Sequence, residues 1–296
     1  MSKLLTTWGE CLEYTRYARP GWKIRNGKPL GATSQGNQIN SDKVSEIVGL
    51  KCPITKLTRE RVRAITIELQ DTTELSNRTI NKVVGCVSTV LNTCYDEEKT
   101  TFKCPRYFRL EVEKDGRLWW FTKEQVNNIV DCAEQIFDRE DLADIVLFAA
   151  YHGLRQSEIF KLKARDIDFV EKIIHVGGRP GFKTKAKNHR MVPFHSSCES
   201  MLADRCLGAN EDLYIFGDEW NDRFQLLDVF RKPTRYLGID DCYVFHCLRH
   251  SFGTWHAAAG TPIRTLMALM GHRRIETTLR YAHVVDKTKF VAQAAI

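Results

Sequence analysis

Ala150-Tyr151-His152-Gly153-Leu154-Arg155-Gln156-Ser157-Glu158-Ile159 is the stretch on which the reading of this chain turns. The apolar run over 145–151 reads as a buried helix segment and is too short to span a bilayer. Gly153 breaks it, because glycine takes the left-handed conformation that closes a helix without steric cost, and a new helix begins around Ser157. Arg155 therefore stands at a helix start with free backbone N–H groups beside it. It can serve an anionic ligand there, or pair with Glu158 three residues on.

Downstream, residues 166–176 and 189–194 carry β-branched and alternating apolar residues, with Gly177, Gly178, Pro180 and Gly181 between them. That pattern predicts a small antiparallel sheet with a long, basic hairpin loop. Helices resume after Ser196, with Thr261-Pro262 a helix start and Gly271 a helix stop. Upstream, amphipathic periodicity predicts helices over 8–17, 41–48, 58–69 and 76–95, with Thr58 and Ser76 as N-caps. Residues 20–40, rich in Gly, Asn and Ser, read as a loop, and 99–116, charged and containing Pro105, as a linker. The expected class is mainly α with a small antiparallel β-sheet (α+β), in two domains, 1–110 and 118–296. No internal repeat is evident.

The 296 residues, 43% of them hydrophobic, suffice for two cores. A net charge of +7 favours a polyanionic partner without distinguishing one. Local density says more: Lys161, Lys163, Arg165, Lys172, Arg179, Lys183, Lys185, Lys187 and Arg190 lie close together with few acids among them. That run reads either as a phosphate-facing surface or as a solvated face. The ten cysteines form no C-x-x-C pair and follow no secretory signal, so the pattern speaks for reduced thiols in the cytoplasm and against a zinc ribbon or a disulfide framework.

Three further patterns carry chemistry. Thr184-Lys185-Ala186-Lys187-Asn188-His189-Arg190-Met191-Val192-Pro193 puts lysines on a hairpin tip, where a mobile ammonium can reach a phosphate and donate a proton. Phe245-His246-Cys247-Leu248-Arg249-His250 places His246, Arg249 and His250 on one helix face. The two histidines could hold zinc, but no third ligand stands at a recognised spacing. Imidazole beside guanidinium suits a phosphodiester better. Finally, Gly271-His272 leads after nine residues to Tyr281, through Thr277-Thr278-Leu279-Arg280. A lone tyrosine near a chain end is usually packing or surface, and this one gains weight only from the order of what precedes it.

Taken in order, these residues resemble the tyrosine recombinases of the phage integrase family, whose signature is Arg, Lys, His-x-x-Arg, His or Trp, and Tyr. The strings G-L-R-x-x-E, T-K-x-x-x-x-R-x-V-P and H-x-L-R-H are all matched, with Met270 standing where the family often has Leu. The resemblance implies a catalytic set of Arg155, Lys185 (Lys183 being the alternative register), His246, Arg249, His272 and Tyr281, supported by Glu158 and His250. Lys183, Lys187 and Arg190 are candidate DNA contacts. It further implies an N-terminal helical core-binding domain and a C-terminal catalytic domain closing as a C-shaped clamp on double-stranded DNA with specific recombination sites.

In the implied chemistry Arg155 and Arg249 clamp the scissile phosphate, Tyr281 attacks in line, His246 is the candidate base or hydrogen-bond partner, Lys185 protonates the departing 5′ oxygen and His272 bonds a phosphate oxygen. Glu158 orients the clamp. A 3′-phosphotyrosyl ester keeps the bond energy, so neither ATP nor metal nor another cofactor is called for. The resemblance also implies a homotetramer on DNA, DNA-bending accessory proteins, no membrane association, and work in a bacterial host cytoplasm. Phage or mobile-element integration is the first expectation, partly because residues 20–40 read as an insertion unlike the compact host type. A host Xer-like chromosome-dimer or transposon resolvase is the second. A type IB topoisomerase, a DNA-binding protein without catalysis and a zinc protein are the rivals.

Overall fold

The computed structural model describes residues 4–25, 28–29, 32–112, 118–178, 182, 189–206, 208–216 and 223–282. The chain divides into two compact units, Met1–Gly116 and Arg117–Ile296, each with its own core.

The first unit is helical: α1 (Trp8–Ala18), a two-residue-strand hairpin of β1 (Ile24–Arg25) and β2 (Lys28–Pro29), α2 (Ala32–Val48), α3 (Arg59–Thr72) and α4 (Asn77–Asp96). Their starts are written in the sequence. Thr7 and Glu10 form a capping box, and Thr58 and Ser76 each accept a hydrogen bond from the third residue of their helix. Apolar residues at helical spacing on α4, Ile80, Val83, Val87 and Leu91 among them, are buried against α1, α2 and α3.

The expected loop over 20–40 is wrong over 32–40, since α2 begins at Ala32 and runs through Gly36, Asn37 and Asn40. These residues have low helix propensity, and tertiary packing overrides it. Ser41 and Val44 are fully buried, and Trp8 Nε1 donates to Ser45 Oγ at 2.8 Å.

The second unit contains α5 (Lys123–Gln135), α6 (Glu140–His152), α7 (Gln156–Ile159), β3 (Ile167–Asp168), β4 (Ile173–Val176), β5 (Arg190–Pro193), α8 (Glu199–Cys206), α9 (Arg223–Tyr236), α10 (His246–Ala258), α11 (Ile263–Met270) and α12 (Glu276–Leu279). Helix α6 is apolar on nearly every side because it is buried between α5 and α10. The sheet is antiparallel in the order β3-β4-β5, with Ile174 opposite Val192 and Val176 opposite Arg190. Gly153 (φ 60°) and Gly271 (φ 62°) close α6 and α11 in the left-handed conformation, as their positions predict. Among the described residues no helix is long and apolar enough to cross a membrane.

Candidate active site

Three arginines from distant parts of the second unit dock on successive carbonyls at the end of α11. A helix C-terminus leaves its last carbonyls without intrahelical partners and carries the negative end of the helix dipole, so it attracts cations. Arg190 Nε donates to Leu269 O at 2.8 Å, Arg249 Nη2 to Met270 O at 2.6 Å, and Arg155 Nη2 to Gly271 O at 3.0 Å. Arg249, only 3% exposed, also donates through Nη1 to Gly153 O, so the closing glycines of α6 and α11 flank it.

Arg155 makes the pairing with Glu158 that its i, i+3 spacing allows. Its backbone N–H and Nη1 donate to Glu158 at 3.0 and 2.8 Å, while Nη2 reaches Gly271. Glu158, 2% exposed, also accepts from Arg190 Nη2 at 2.8 Å. Burial pushes its carboxyl pKa up, but the bonds and charges of Arg190 and Arg155 outweigh that and bring it down to about 2.

Arg190, expected on a DNA-facing surface, turns inward instead. It shares the face of Val192, opposite buried Val176, and a Cβ added to Gly271 would lie 2.8 Å from its Nη1. Period-two alternation along Arg190-Met191-Val192 carried that signal, and the density of neighbouring charge obscured it.

Tyr281 stands just past Arg280, the C-cap of α12, and is 1% exposed. Its Oη lies 2.9 Å from His250 Nδ1, so the phenol meets His250 and not His246, the expected base. His246 stands one turn earlier as the exposed first residue of α10, its ring edge-on to His250 with centroids 4.9 Å apart. The ring of Tyr281 lies over Gly253, where a Cβ would come within 2.8 Å of three ring carbons. His272 stacks parallel to Tyr281, centroids 6.4 Å apart, and its Nδ1 is held 2.8 Å from the hydroxyl of buried Thr278. The arrangement sets a phenol, three imidazoles and two clamping guanidinium groups around one place, the equipment for nucleophilic attack on an anionic ester.

The model of the phage integrase family matches residues 119–288, more than half of the chain. The chain belongs to the phage integrase family. It is thus a tyrosine recombinase, an enzyme that breaks and rejoins DNA. It is 27% identical over 246 residues to the tyrosine recombinase XerC of Chlamydia trachomatis, covering 78% of this chain and 75% of that protein. It is 30% identical over 206 residues to the integrase of Escherichia phage P2, covering 69% of this chain and 55% of that one. In fold it is similar to the Tn1549 transposon integrase solved with transposon right-end DNA, with a TM-score of 0.73 and 16% identity over 96% of this chain and 99% of that one. A lambda integrase dimer bound to a core site gives 0.65 at 14% identity, covering 93% of this chain and 77% of that one.

The recombinase holds its site histidines neutral at neutral pH. Burial lowers the pKa of His272, and Arg249, Arg155, Arg190 and Arg280 add to this, to about 3. Burial, then His246, Arg280, Arg249 and His272, bring His250 to about 3. Desolvation by the atoms packed around it, then Arg249, Arg155 and Arg280, bring His246 to about 4. Burial raises the Tyr281 phenol above its usual value, against the pull of Arg249, Arg280 and Arg155, so it keeps its proton.

Lys183, Lys185 and Lys187 lie outside the described residues, so the structure does not bear on the hairpin lysine. Among the described residues no group of three or more His, Cys, Asp or Glu is placed to hold a metal. Sequence reasoning missed Gly253 and gave Thr278 no role. Their only signal is position: Gly253 lies one turn beyond His250 and Thr278 one turn before Tyr281.

Proposed function

We propose that Tyr281 is the nucleophile of a site-specific recombination reaction on double-stranded DNA. Arg155 and Arg249 grip the non-bridging oxygens of the scissile phosphate, His272 and His246 bond to it, and Lys185 protonates the leaving 5′ oxygen. Glu158 orients Arg155. The observation that carries this reading is the burial of Tyr281 beside guanidinium groups anchored on the α11 carbonyls. Each anchored guanidinium has five N–H donors, more than its protein partners use, and presents the rest without reorganisation when charge develops. The product of the first step is a 3′-phosphotyrosyl ester, which a second strand's 5′-hydroxyl resolves.

The first unit serves as a core-binding domain, and four protomers act on two sites. The test is a nicked suicide duplex bearing the cognate site, incubated in EDTA. Wild-type protein gives an SDS-resistant adduct and Tyr281→Phe gives none. An adduct with Tyr281→Phe would overturn the assignment.

Integration of a phage or other mobile element remains the first genomic role, and the likeness to phage P2 integrase favours it. Resolution of chromosome dimers is the second, favoured by the likeness to chlamydial XerC and by the helical structure of residues 32–40. Sequencing the junctions trapped by the protein in host DNA separates them, since integration gives element–host junctions and resolution gives host–host junctions.

A further inference from the structure

We propose that His250 is the group that holds the Tyr281 hydroxyl for attack and accepts its proton, with Gly253 as the seat that puts the phenol within its reach. This rests on Tyr281 being the nucleophile. His250 and Gly253 are three residues apart on α10 and so lie on one face of it. At Gly253 the missing side chain lets the tyrosine ring lie against the helix backbone, and at His250 the ring's hydroxyl meets Nδ1 at 2.9 Å. The rings of His250 and Tyr281 are tilted by 48° with centroids 6.0 Å apart, so they meet through the Nδ1–Oη contact and not by parallel stacking. Tyr281 is 1% exposed, which leaves bulk water a poor competitor for its proton.

The groups facing His250 fix the direction of this hydrogen bond. His246 and Arg249 lie beside it on α10, Arg280 precedes Tyr281, and His272 comes from the turn after α11. Burial first, and then these neighbouring histidines and arginines, disfavour the imidazolium and keep the ring neutral, with one nitrogen bearing a lone pair, while the buried phenol keeps its hydrogen. The phenol therefore donates to Nδ1, and the ring carries its own hydrogen on Nε2. A bound phosphodiester brings negative charge to the same cations and offsets what disfavours the imidazolium.

In the forward step the Oη–P bond forms, the Oη–H bond breaks and its proton passes to Nδ1. The P–O5′ bond breaks, and the 5′ oxygen takes a proton from the leaving-group acid. In religation the 5′-hydroxyl attacks, its proton returns to that acid, and His250 gives its proton back to Oη. No proton is gained or lost over the cycle. His246, one turn away, is left to the phosphate.

The test measures single-turnover adduct formation on the nicked suicide duplex, with duplex affinity by fluorescence anisotropy and folding by thermal melting alongside. His250→Leu is expected to bind DNA within about twofold of wild type and to form adduct about a hundredfold or more slowly, the range of a lost general base. His250→Asn can accept the phenol's hydrogen bond but not its proton. It is expected to recover part of the rate, and that rate should climb with pH where the wild-type rate has levelled. If His250→Leu does not fold, His250→Asn decides alone. A duplex with sulfur at the 5′-bridging position releases its leaving group without a proton, so it should restore activity to Lys185→Ala and not to His250→Leu. The proposal is overturned if the folded His250 variants react at the wild-type rate and pH profile, if His246→Leu shows the altered profile in their place, or if bridging sulfur restores His250→Leu. An adduct with Tyr281→Phe, by contrast, overturns the nucleophile itself.

Discussion

Gly253 lies flat beneath the ring of Tyr281: a Cβ built on it would stand 2.7 Å from the phenol Cζ. Real side chains do not approach so closely, so any larger residue here must displace either the ring or the α10 backbone. Overpacking of this kind costs about 1–3 kcal/mol. The ring, held at the end of a four-residue helix, is the easier of the two to move. Gly253→Ala is therefore expected to keep DNA affinity and to slow adduct formation by about tenfold or more, read in a single-turnover assay. A wild-type rate in this variant would show that the phenol reacts from somewhere else.

Glu158 joins Arg155 and Arg190, and its removal leaves both guanidinium groups short of a carboxylate. Truncating one partner of a buried pair costs about 3–5 kcal/mol. Glu158→Gln is expected to lower unfolding free energy by about that much in urea titrations at pH 7. The pH dependence has a definite sign. The carboxyl pKa is depressed on folding, from 4.5 to about 2, so its contribution is complete above pH 4.5 and is lost as pH falls towards 2. The gap between wild type and variant should narrow over that interval.

His152 makes the opposite kind of buried histidine to those in the site, one satisfied wholly by backbone. Its Nδ1–H donates to Phe148 O at 2.9 Å and its Nε2 accepts from the His195 N–H at 3.0 Å. Burial lowers its pKa from 6.5 to about 4 against the effect of the Phe148 bond. The folded state thus binds fewer protons than the unfolded one between those values. The stability this supplies is intact above pH 6.5 and fades, by about 3 kcal/mol in all, as pH drops to 4. His152→Leu is expected to destabilise at pH 7.5, where the His195 N–H is left unpaired, and to do so by less at pH 4.5.

Binding of a polyanion should relieve part of the depression of His246, His250 and His272, which burial causes first and the arginines deepen, since phosphate charge offsets those arginines. The complex then takes up protons that the free protein refuses. Affinity for duplex DNA is expected to strengthen from pH 7 to pH 5.5 at constant salt, and calorimetry in buffers of different ionisation heat should register net proton uptake. Replacing the three histidines with asparagine should flatten both effects.

Much of the site was legible because glycine punctuates the chain. Gly153 and Gly271 fixed the ends of α6 and α11, and those ends fixed where Arg155 and His272 stand. The partner of Tyr281 was not legible, because His246 and His250 lie on the same helix face and only the packing of the ring on Gly253 decides between them. Arg190 misled through its company, a run of lysines and arginines that hid a two-residue alternation with Val192. Helix α2 escaped for another reason. Gly36, Asn37 and Asn40 argue locally for a loop, and what makes them helical is a surface on α1 and α4 that no local pattern contains.

Gly271→Ala is expected to damage the site more than the fold. The left-handed backbone at φ 62° costs alanine about 1–2 kcal/mol, and the new methyl would press on Arg190. Adduct formation should fall well beyond what the loss in melting temperature accounts for.

The oxygens that receive Arg155, Arg190 and Arg249 belong to the peptide chain and to no side chain, so they are present whatever residues occupy positions 269 and 270. Substitutions at Leu269 or Met270 that preserve the helix leave the anchorage standing. The mooring of these three guanidinium groups is in this sense hereditary in the shape of the chain and only weakly in its spelling, with Gly271 the letter whose left-handed backbone resists drift.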